Sequence, residues 1–396
     1  MKFLHTADTH IGYTQYHKKE RENDFLEAFS EIVTKAIEED VEAVIHGGDL
    51  FHSSQPGFNS LVGVLEQLNR LNENGIEFLS VLGNHDGGRG AKWVDVFEQV
   101  ERARHLGKEP HVIGDVAFYG IDYMSEGKRD YYSYQFGESE SKYNILVSHG
   151  GFSELTFGDW KLEDIITESN IDFESVLLGD EHEFIMDEHY GIPITYSGST
   201  ERTAIDQKEK RGYNIIRVDG SIQINHKKFS TRNFEYVSID IDEGTTFNDV
   251  KQAFNNKQIS DSVIEVTITG HSNTIPISKI EEYLTENGAL HVKVNNKIEQ
   301  DNGIDVINVN FVDPEQEIID EVEKREFSQS AIELEEDVRD KTISKSNMKD
   351  RSEDFVERLI DEKPEKMVRP NSDIQLSSNE NAETRNEGNL TVGDSK

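Results

Sequence analysis

Cysteine is absent from this chain of 396 residues. Its absence excludes a disulfide framework, a thiolate metal site and a cysteine nucleophile, so any metal ion must be held by His, Asp, Asn or Glu side chains. Oxygen and imidazole ligands suit manganese, iron or zinc. The chain also lacks an apolar run of about 18 residues, and Met1 is followed by the strand-like KFLHTAD rather than by a basic and then apolar leader. We therefore expect a soluble, unexported, cytoplasmic protein that does not associate with membranes.

Basic residues are scarce: 41 Lys and Arg stand against 78 Asp and Glu, which gives a formal net charge of -37. Such an excess usually argues against a nucleic-acid partner, because affinity for phosphate backbones comes from Lys and Arg. Either the protein avoids polyanions, or it is adapted to molar cytoplasmic salt, where surface charges are screened within about 3 Å. We favour salt adaptation, since the acidic residues are spread along the whole chain rather than confined to one tail.

The length exceeds that of one ordinary compact domain. Residues 1–230 alternate between short apolar strand patterns and helical spacing, the latter carried first by Phe25, Phe29, Ile32, Val33 and Ala36. This alternation predicts a layered α/β domain, in which functional groups gather beyond the carboxyl ends of the strands. Residues 236–312 show the pattern of a second, smaller α/β domain, for which we expect a capping or substrate-orienting role.

Residues 313–396 are rich in Glu, Asp, Ser, Asn and Lys and poor in apolar residues, a composition that predicts a disordered acidic tail. One apolar cluster interrupts it, formed by Phe355, Val356, Leu359 and Ile360. Their spacing is compatible with a short amphipathic helix near residues 352–361 that folds against a partner. A chance cluster is the alternative, and the sequence leaves both open.

Ionisable or amide side chains follow five of the predicted strands. They are Asp8 and His10, then Asp49, then Asn84 with His85 and Asp86, then His149, and finally Asp180 and His182. A lone Asp at a strand end is more often a turn former than a ligand. Five such positions, all where strands meet loops, are very hard to explain by capping, and they predict one functional site.

A site with two divalent ions about 3.5–4 Å apart needs one carboxylate that contacts both, while neutral ligands limit the negative charge. Asp49 is our candidate for this bridging carboxylate. The glycines Gly47, Gly48 and Gly83 let the backbone turn sharply and bring side chains close to the ions. Water between two such ions loses a proton readily, which supplies a nucleophile at neutral pH.

His85 directly follows Asn84 and should therefore not point at the ion that its neighbour binds. We predict that it faces the substrate, where it stabilises the transferring phosphoryl group or donates a proton to the leaving oxygen. Asp86 is predicted to orient its ring. The alternative is a histidine that is merely hydrogen-bonded within its own loop.

The order D-x-H, GD, GNHD, H and G-x-x-H resembles the calcineurin-like metallophosphoesterases, which implies a layered sheet sandwich flanked by helices. The segments MKFLHTADTHIGY, GGDLFHSSQP and YSGSTER (196–202) more closely resemble the nuclease subunit of the double-strand-break repair complex of archaea and eukaryotes, the meiotic-recombination-eleven type. Its bacterial relative is the SbcD nuclease. The likeness covers residues 1–230 well, the second domain loosely and the tail hardly at all, and with the acidity it suggests a halophilic archaeal member.

The resemblance implies roles for individual residues. One manganese ion would be held by Asp8, His10, Asp49 and His182, and a second by Asp49, Asn84, His149 and Asp180. His85 matches the catalytic histidine of the family, and His52 matches a second active-site histidine associated with exonuclease action.

The implied activity is 3′-to-5′ exonucleolytic degradation of DNA and endonucleolytic cutting of single strands. The implied partners are DNA, a Rad-fifty-type coiled-coil ATPase and a second copy of the chain. For the homodimer contact, the segment around Leu61, Val64, Leu65 and Leu68 supplies a candidate apolar face.

The chain departs from the family pattern at Gly179-Asp180-Glu181-His182, where G-H-x-H is usual. Because aspartate can ligate manganese, we expect two-metal binding to survive with more negative charge at the second ion. Two other functions stay open: a phosphomonoesterase or cyclic-nucleotide phosphodiesterase on the same scaffold, and a catalytically weakened scaffold that binds DNA ends.

Overall fold

Two six-stranded sheets form the centre of the structure, a computed structural model that describes residues 1–86, 92–129, 131–271 and 274–298. The first sheet contains β1 (Lys2–Thr6), β2 (Ala43–His46), β3 (Glu77–Ser80), β4 (Arg104–His105), β11 (Gly212–Val218) and β12 (Ile222–Lys228), in the order β12-β11-β1-β2-β3-β4. The second contains β5 (His111–Ile113), β6 (Val116–Ile121), β7 (Tyr143–His149), β8 (Ser175–Gly179), β9 (Ile185–His189) and β10 (Ile192–Tyr196), in the order β5-β6-β7-β8-β10-β9. In the first sheet β1 to β4 are parallel, and β11 and β12 at one side are antiparallel. In the second sheet β6, β7, β8 and β10 are parallel, and the edge strands β5 and β9 are antiparallel.

Apolar side chains from both sheets fill the space between them. Phe3, Ile45 and Leu79 from the first sheet share one buried cluster with Phe118, Val147 and Leu177 from the second. Helices α1 (Lys19–Glu38), α2 (Phe58–Glu73) and α3 (Trp93–Gln99) cover the outer face of the first sheet, and α5 (Leu162–Glu168) packs on the outer face of the second. Two short elements, a 3-10 helix (Gln15–His17) and α4 (Glu126–Arg129), lie in the connections. The predicted sandwich flanked by helices is confirmed.

Helix α1 forms because its apolar residues recur on one face. Each of the five residues that predicted this helix is fully buried against the first sheet, from Phe25 to Ala36. Burying a side chain the size of Phe or Ile contributes about 1.5–3 kcal/mol. Acidic Glu20 and Glu22 in the first turn and Lys35 in the last turn complement the helix dipole.

The apolar face that was predicted for α2 is divided between the core and the surface. Val64 and Leu68 are fully buried in the core of this chain. The expectation that these two residues form part of a dimer contact is therefore wrong. Leu61 and Leu65 are partly buried and pack against the same core. The helical period turns positions 64 and 68 toward the sheet, and the exposed part of α2 lies elsewhere on its surface.

The second domain has a three-stranded parallel sheet with two helices. Its strands are β13 (Phe234–Ile241), β14 (Val263–Gly270) and β15 (His291–Asn296), in that order, and its helices are α6 (Phe247–Gln252) and α7 (Ile277–Glu286). Ile280 and Leu284, one turn apart in α7, are fully buried against this sheet. Thr246 and Asp249 form a capping box at the start of α6.

A buried ion network joins the two domains. Both carboxylate oxygens of Asp24 in α1 accept hydrogen bonds from Arg232, from Nε at 2.5 Å and from Nη2 at 2.7 Å. The fully buried Arg21 donates to the same carboxylate at 2.6 Å and to the carbonyl of Arg202 at 2.9 Å. Removing one partner from a buried network of this kind costs about 3–5 kcal/mol. The network therefore ties the segment that leads into β13 to the catalytic domain.

Residues 299–396 lie outside the described residues. They include the end of the predicted second domain and the predicted tail with its apolar cluster around Phe355 and Leu359. Among the residues that the structure describes, no helix is long and apolar enough to cross a membrane.

Candidate metal centre

The carboxyl ends of the central parallel strands meet at one edge of the sandwich. In the first sheet, β1, β2 and β3 end at Thr6, His46 and Ser80. These three residues lie side by side in the register of the parallel strands. In the second, His149 at the end of β7 lies opposite Gly179 at the end of β8. The structure thereby brings together all seven predicted ligands: Asp8, His10, Asp49, Asn84, His149, Asp180 and His182.

Two glycines allow the loops that carry the candidate ligands to approach one another. Gly48 has φ +98°, and a Cβ atom on it would lie 2.5 Å from Nδ1 of His149. A Cβ atom on Gly83 would overlap the carboxylate of Asp49. Any larger residue at either position would therefore push two ligands apart.

Asp49 lies between two groups of ligands. Its Oδ2 atom is 3.8 Å from Nε2 of His10 and 3.6 Å from Nε2 of His149, while its Oδ1 accepts a hydrogen bond from the backbone of His85 at 2.8 Å. Ligand atoms of Asp8, His10 and His182 lie within 4.8 Å of one another, and so do those of Asp8, Asp49 and His149. Asp8 thus adjoins both groups, and Asp49 has the position of a bridging carboxylate.

Asn84 points its amide oxygen toward the carboxylate of Asp49 and the ring of His149. Oδ1 lies 2.9 Å from Oδ2 of Asp49 and 3.2 Å from Nε2 of His149. Rotating the amide would instead let its nitrogen donate to Asp49. We assign the orientation with oxygen inward, because an amide ligates a metal ion through its oxygen and a cation would relieve the repulsion between the oxygens of Asn84 and Asp49.

The rings of His10 and His182 converge on the other side of Asp49, with their Nε2 atoms 3.1 Å apart. Burial lowers the pKa of both rings, that of His182 to about 4. Both imidazoles are therefore neutral near pH 7, which is the form that ligates a metal ion.

Residues of the loop after β10 contact Nδ1 and the backbone carbonyl of His182. Nδ1 of His182 lies 2.7 Å from the hydroxyl of Thr203, which also accepts from Nε2 of Gln207 at 3.0 Å. The carbonyl of His182 accepts from Arg211 at 2.6 Å and from the backbone of Ser199 at 3.1 Å. With the proton on Nδ1, Nε2 is free to bind a metal ion. The sequence prediction missed Thr203, which directly follows the YSGSTER segment, and Gln207, four residues further on.

His149 is oriented by the backbone, since its Nδ1 donates to the carbonyl of Gly47 at 2.7 Å. Burial acts to lower the pKa of His149, but the carboxylates of Asp180, Asp49 and Asp8 raise it to about 10. A proton on this ring partly compensates the three carboxylates. A divalent cation would compensate them more fully, and its binding would release that proton.

Asp180, which stands where the family usually has histidine, contacts both neighbours. Its backbone N–H donates to both oxygens of Asp8 at 3.1 Å, and its Oδ1 lies 3.6 Å from Nε2 of His149. The φ angles of Asp8, His10, Asp49 and Asp180 are +52°, +43°, +57° and +102°. Such conformations cost on the order of 1–3 kcal/mol each in a non-glycine residue and cluster at functional sites.

Burial also raises the pKa of Asp8 and of Asp49, and repulsion between the carboxylates adds to this effect. The negative charge of the carboxylates in the centre is therefore not fully compensated by neighbouring positive groups. Three carboxylates, three imidazoles and one amide oxygen that face one another form a ligand set that fits divalent metal ions.

Asp86 has a different role from the one predicted. Its carboxylate accepts hydrogen bonds from the backbone N–H groups of Asp49, Leu50, Phe51 and Gly83, at 2.8–3.3 Å. Burial raises the pKa of Asp86 to about 6. Asp86 therefore joins the loops after β2 and β3, which carry Asp49 and Asn84, and the prediction that it orients the ring of His85 is wrong.

The ring of His85 is oriented by His52 instead. Nδ1 of His85 donates to the carbonyl of His52 at 2.7 Å. The ring of His52 stacks on Tyr13 at a centroid distance of 3.9 Å, and burial lowers the pKa of His52 to about 4. Both rings lie beside His10, at 4.9 Å for His85 and 5.5 Å for His52. The two predicted active-site histidines therefore adjoin the metal centre.

His46, the last residue of β2, is fully buried and hydrogen-bonded. Its Nδ1 accepts from the backbone of Gly48 at 3.2 Å, and its Nε2 faces the hydroxyl of Thr9 at 3.2 Å. Burial lowers its pKa to about 3. The ring is therefore a neutral structural element beneath the centre.

This sandwich with a divalent-metal centre at the strand ends defines a class. The family described as calcineurin-like phosphoesterase matches residues 1–204, and the chain belongs to it. The chain is 37% identical to the DNA double-strand break repair protein Mre11 of Haloferax volcanii over 386 residues, covering 96% of this chain and 88% of that protein. It is 36% identical to the Halobacterium salinarum protein of the same name, covering 91% and 95%, and 34% identical to that of Methanosarcina mazei, covering 91% and 60%.

Within that class, the chain belongs to the Mre11 family. The resemblance inferred from the motifs is thereby confirmed. Two of these relatives come from halophilic archaea, which agrees with the salt-adapted interpretation of the net charge.

Proposed function

We propose that this protein is a manganese-dependent DNA nuclease that processes DNA ends in double-strand-break repair. It would act as a 3′-to-5′ exonuclease on duplex DNA and as an endonuclease on single strands. Membership of the Mre11 family and the divalent-metal centre support this proposal. We further propose two manganese ions per subunit, one held by Asp8, His10, Asp49 and His182 and one by Asp49, Asn84, His149 and Asp180.

The observation that carries the proposal is the position of Asp49, with one carboxylate oxygen 3.8 Å from His10 and 3.6 Å from His149. A single ion would not need ligands on both sides of this carboxylate. With two divalent cations bound, the three carboxylates would not neutralise all of the positive charge, so the centre would be net positive. An excess of this sign attracts the anionic phosphodiester of DNA.

Bound divalent ions would supply Lewis acidity toward the phosphate and lower the pKa of a water nucleophile. His85 would act on the substrate through Nε2, because its Nδ1 is fixed on the carbonyl of His52. There it would stabilise charge on the phosphoryl group or protonate the leaving oxygen. His52, stacked on Tyr13, would shape the path of the strand beside His85.

The decisive experiment incubates the full-length protein with manganese and three substrates: labelled duplex DNA, labelled single-stranded DNA and p-nitrophenyl phosphate. A potassium chloride series up to molar concentration accompanies each assay, because the acidic surface predicts a requirement for salt. We expect cleavage of both DNA forms, none by Asp49→Ala, and circular dichroism of the variant like that of the wild type. Rapid hydrolysis of the monoester without DNA cleavage would favour the small-molecule phosphatase, and DNA binding without any hydrolysis would favour the scaffold.

The domain boundaries and the partners also stay proposals. We propose a catalytic domain over residues 1–230, a capping domain over 236–312 and an acidic tail over 313–396. The tail would bind a Rad-fifty-type ATPase through Phe355, Val356, Leu359 and Ile360. A pull-down with the partner ATPase in high salt, comparing the wild type with the double variant Phe355→Asp and Leu359→Asp, tests this contact. Undiminished binding would place the interface elsewhere.

A further inference from the structure

In one segment of the chain, basic residues outnumber acidic ones. Residues 202–232 contain eight Lys and Arg against three Asp and Glu, whereas the whole chain has 41 against 78. Three of these cations are used inside the protein: Arg202 and Arg211 are buried, and Arg232 pairs with Asp24. Lys208, Lys210, Arg217, Lys227 and Lys228 remain exposed.

Four of these five cations lie at the edge of the sandwich that carries the metal centre. Strand β11 runs antiparallel to β1, so its first residues lie beside the carboxyl end of β1. In the pairing of β11 with β12, Gly212 lies opposite Lys228, and Tyr213 opposite Lys227. Lys208 and Lys210 directly precede β11. We call Lys208, Lys210, Lys227 and Lys228 the hairpin lysine patch.

The hairpin lysine patch adjoins the metal ligand His182. A cavity of about 240 Å³ is lined by His182 together with Lys210, Arg211 and Lys228. Arg211 also donates to the carbonyl of His182 at 2.6 Å. At the other side of the patch, Nζ of Lys208 lies 5.2 Å from the ring centre of Tyr236 in the second domain. The patch therefore extends from the ligand His182 toward β13.

Acidic groups only partly neutralise this surface. Glu209 pairs with Lys228 at 3.6 Å, Asp206 lies on the same loop, and Glu183 lines the cavity. Four lysines face three carboxylates, in a protein that elsewhere carries nearly two acids per cation. Since an excess of cations on an acidic protein provides affinity for polyanions, the patch favours a polyanionic partner.

We propose that the hairpin lysine patch binds the phosphate backbone of DNA and directs the strand past His182 into the metal centre. This inference rests on the proposed nuclease function and specifies the surface that holds the substrate. It also accounts for DNA binding by a chain of net charge -37, because the contact depends on a local excess of lysine rather than on overall charge. Arg217 has the same charge and lies on the same strand but five residues from Gly212, about 17 Å along β11, so it would not take part.

The test measures binding without cleavage. Fluorescence anisotropy of a labelled duplex is recorded with the full-length protein and no added divalent cation, over the range of potassium chloride in which circular dichroism is constant. The variants are Lys208→Gln, Lys210→Gln, Lys227→Gln and Lys228→Gln, and the matched control is Arg217→Gln, which changes the net charge equally. We expect each lysine that contacts a phosphate to reduce the slope of log affinity against log salt by about 0.9, and Arg217→Gln to leave it unchanged.

Slopes of all four lysine variants equal to that of the wild type would overturn the proposal. Equal wild-type affinity for poly-glutamate and for DNA of the same charge would also overturn it, and would identify an acidic polypeptide as the occupant. Because no cleavage takes place, the result is separate from the proposed activity. A protein that binds DNA through these lysines but does not cut it with manganese would refute the nuclease function alone.

Discussion

Nδ1 of His182 and the hydroxyl of Thr203 lie 2.7 Å apart, although 20 residues separate them in sequence. We assign the proton to Nδ1, which donates to this hydroxyl, because that tautomer leaves Nε2 for a metal ion. Thr203→Val should therefore weaken manganese binding at the first ion by about 10- to 100-fold, the usual effect of losing a hydrogen bond to a ligand. Calorimetry measures it directly.

Thr203→Ser keeps the hydroxyl and serves as the matched control. It should bind manganese like the wild type, and saturating manganese should restore most of the activity of Thr203→Val. Unchanged calorimetric affinity in Thr203→Val would show that Gln207 or the backbone alone holds the ring.

Replacing Asp86 should lower the free energy of unfolding of the protein and not only its rate of DNA cleavage. In Asp86→Ala, four buried backbone N–H groups lose their acceptor, and each unsatisfied group costs about 1–3 kcal/mol. We expect the free energy of unfolding in urea to fall by at least about 3 kcal/mol. Asp86→Asn keeps one acceptor oxygen and should lose less. A variant that is as stable as the wild type but inactive would restore the discarded role of Asp86 beside His85.

His85→Ala should separate chemistry from metal binding. The ring is oriented by the carbonyl of His52, and its loss should reduce the rate of DNA cleavage by roughly 10²-fold or more. Two manganese ions and DNA should still bind, as measured by calorimetry and anisotropy. His111→Ala, at a partly exposed histidine paired with Glu77, is the control and should cleave normally. A drop in metal stoichiometry for His85→Ala would make His85 a ligand.

The sequence could predict which side chains lie together at the candidate metal centre, because topology constrains them. Carboxyl ends of adjacent parallel strands share one edge of a sheet, so Asp8, Asp49 and Asn84 had to meet once β1, β2 and β3 were recognised. Thr203 could not be placed in this way, since it lies in an irregular loop whose path depends on contacts distant in sequence. Asp86 was assigned to its sequence neighbour, whereas the left-handed backbone at Asp49 turns the loop after β2 toward it.

A pH dependence of stability should arise at His105, which lies outside the metal centre. Its Nδ1 lies 2.6 Å from Asp95 and its Nε2 2.8 Å from Asp122, and Lys92 lies 3.9 Å from the other oxygen of Asp122. Burial acts to lower the pKa of His105, but Asp122 and Asp95 raise it above the ordinary value. The stabilisation should be complete below about pH 6.5, the value in the unfolded chain, and disappear as the pH rises through the folded value.

Urea unfolding of the wild type and of His105→Gln at pH 6, 7.5 and 9, at constant salt, measures this effect. The stability difference between the two proteins should be largest at pH 6 and decrease toward pH 9. A difference that is constant across this range would show that the ring contributes by packing alone.

Dimerisation should depend on the exposed part of α2. Phe58 is 78% exposed and Val62 is 38% exposed, one helical turn apart, whereas Val64 and Leu68 belong to the core of the chain. An exposed phenylalanine and valine on one helix face favour a contact with a second copy, because their burial removes apolar surface from water. Hydrophobic contact also persists in high salt, where charged contacts are screened. We therefore expect a dimer at micromolar concentration, measured by light scattering in molar salt, and a monomer for the double variant Phe58→Asp and Val62→Asp.

Phe157→Asp, at a fully exposed phenylalanine in the loop after β7, should remain dimeric. If the α2 variant also remains dimeric, another surface forms the contact, and a monomeric wild type would exclude the homodimer altogether.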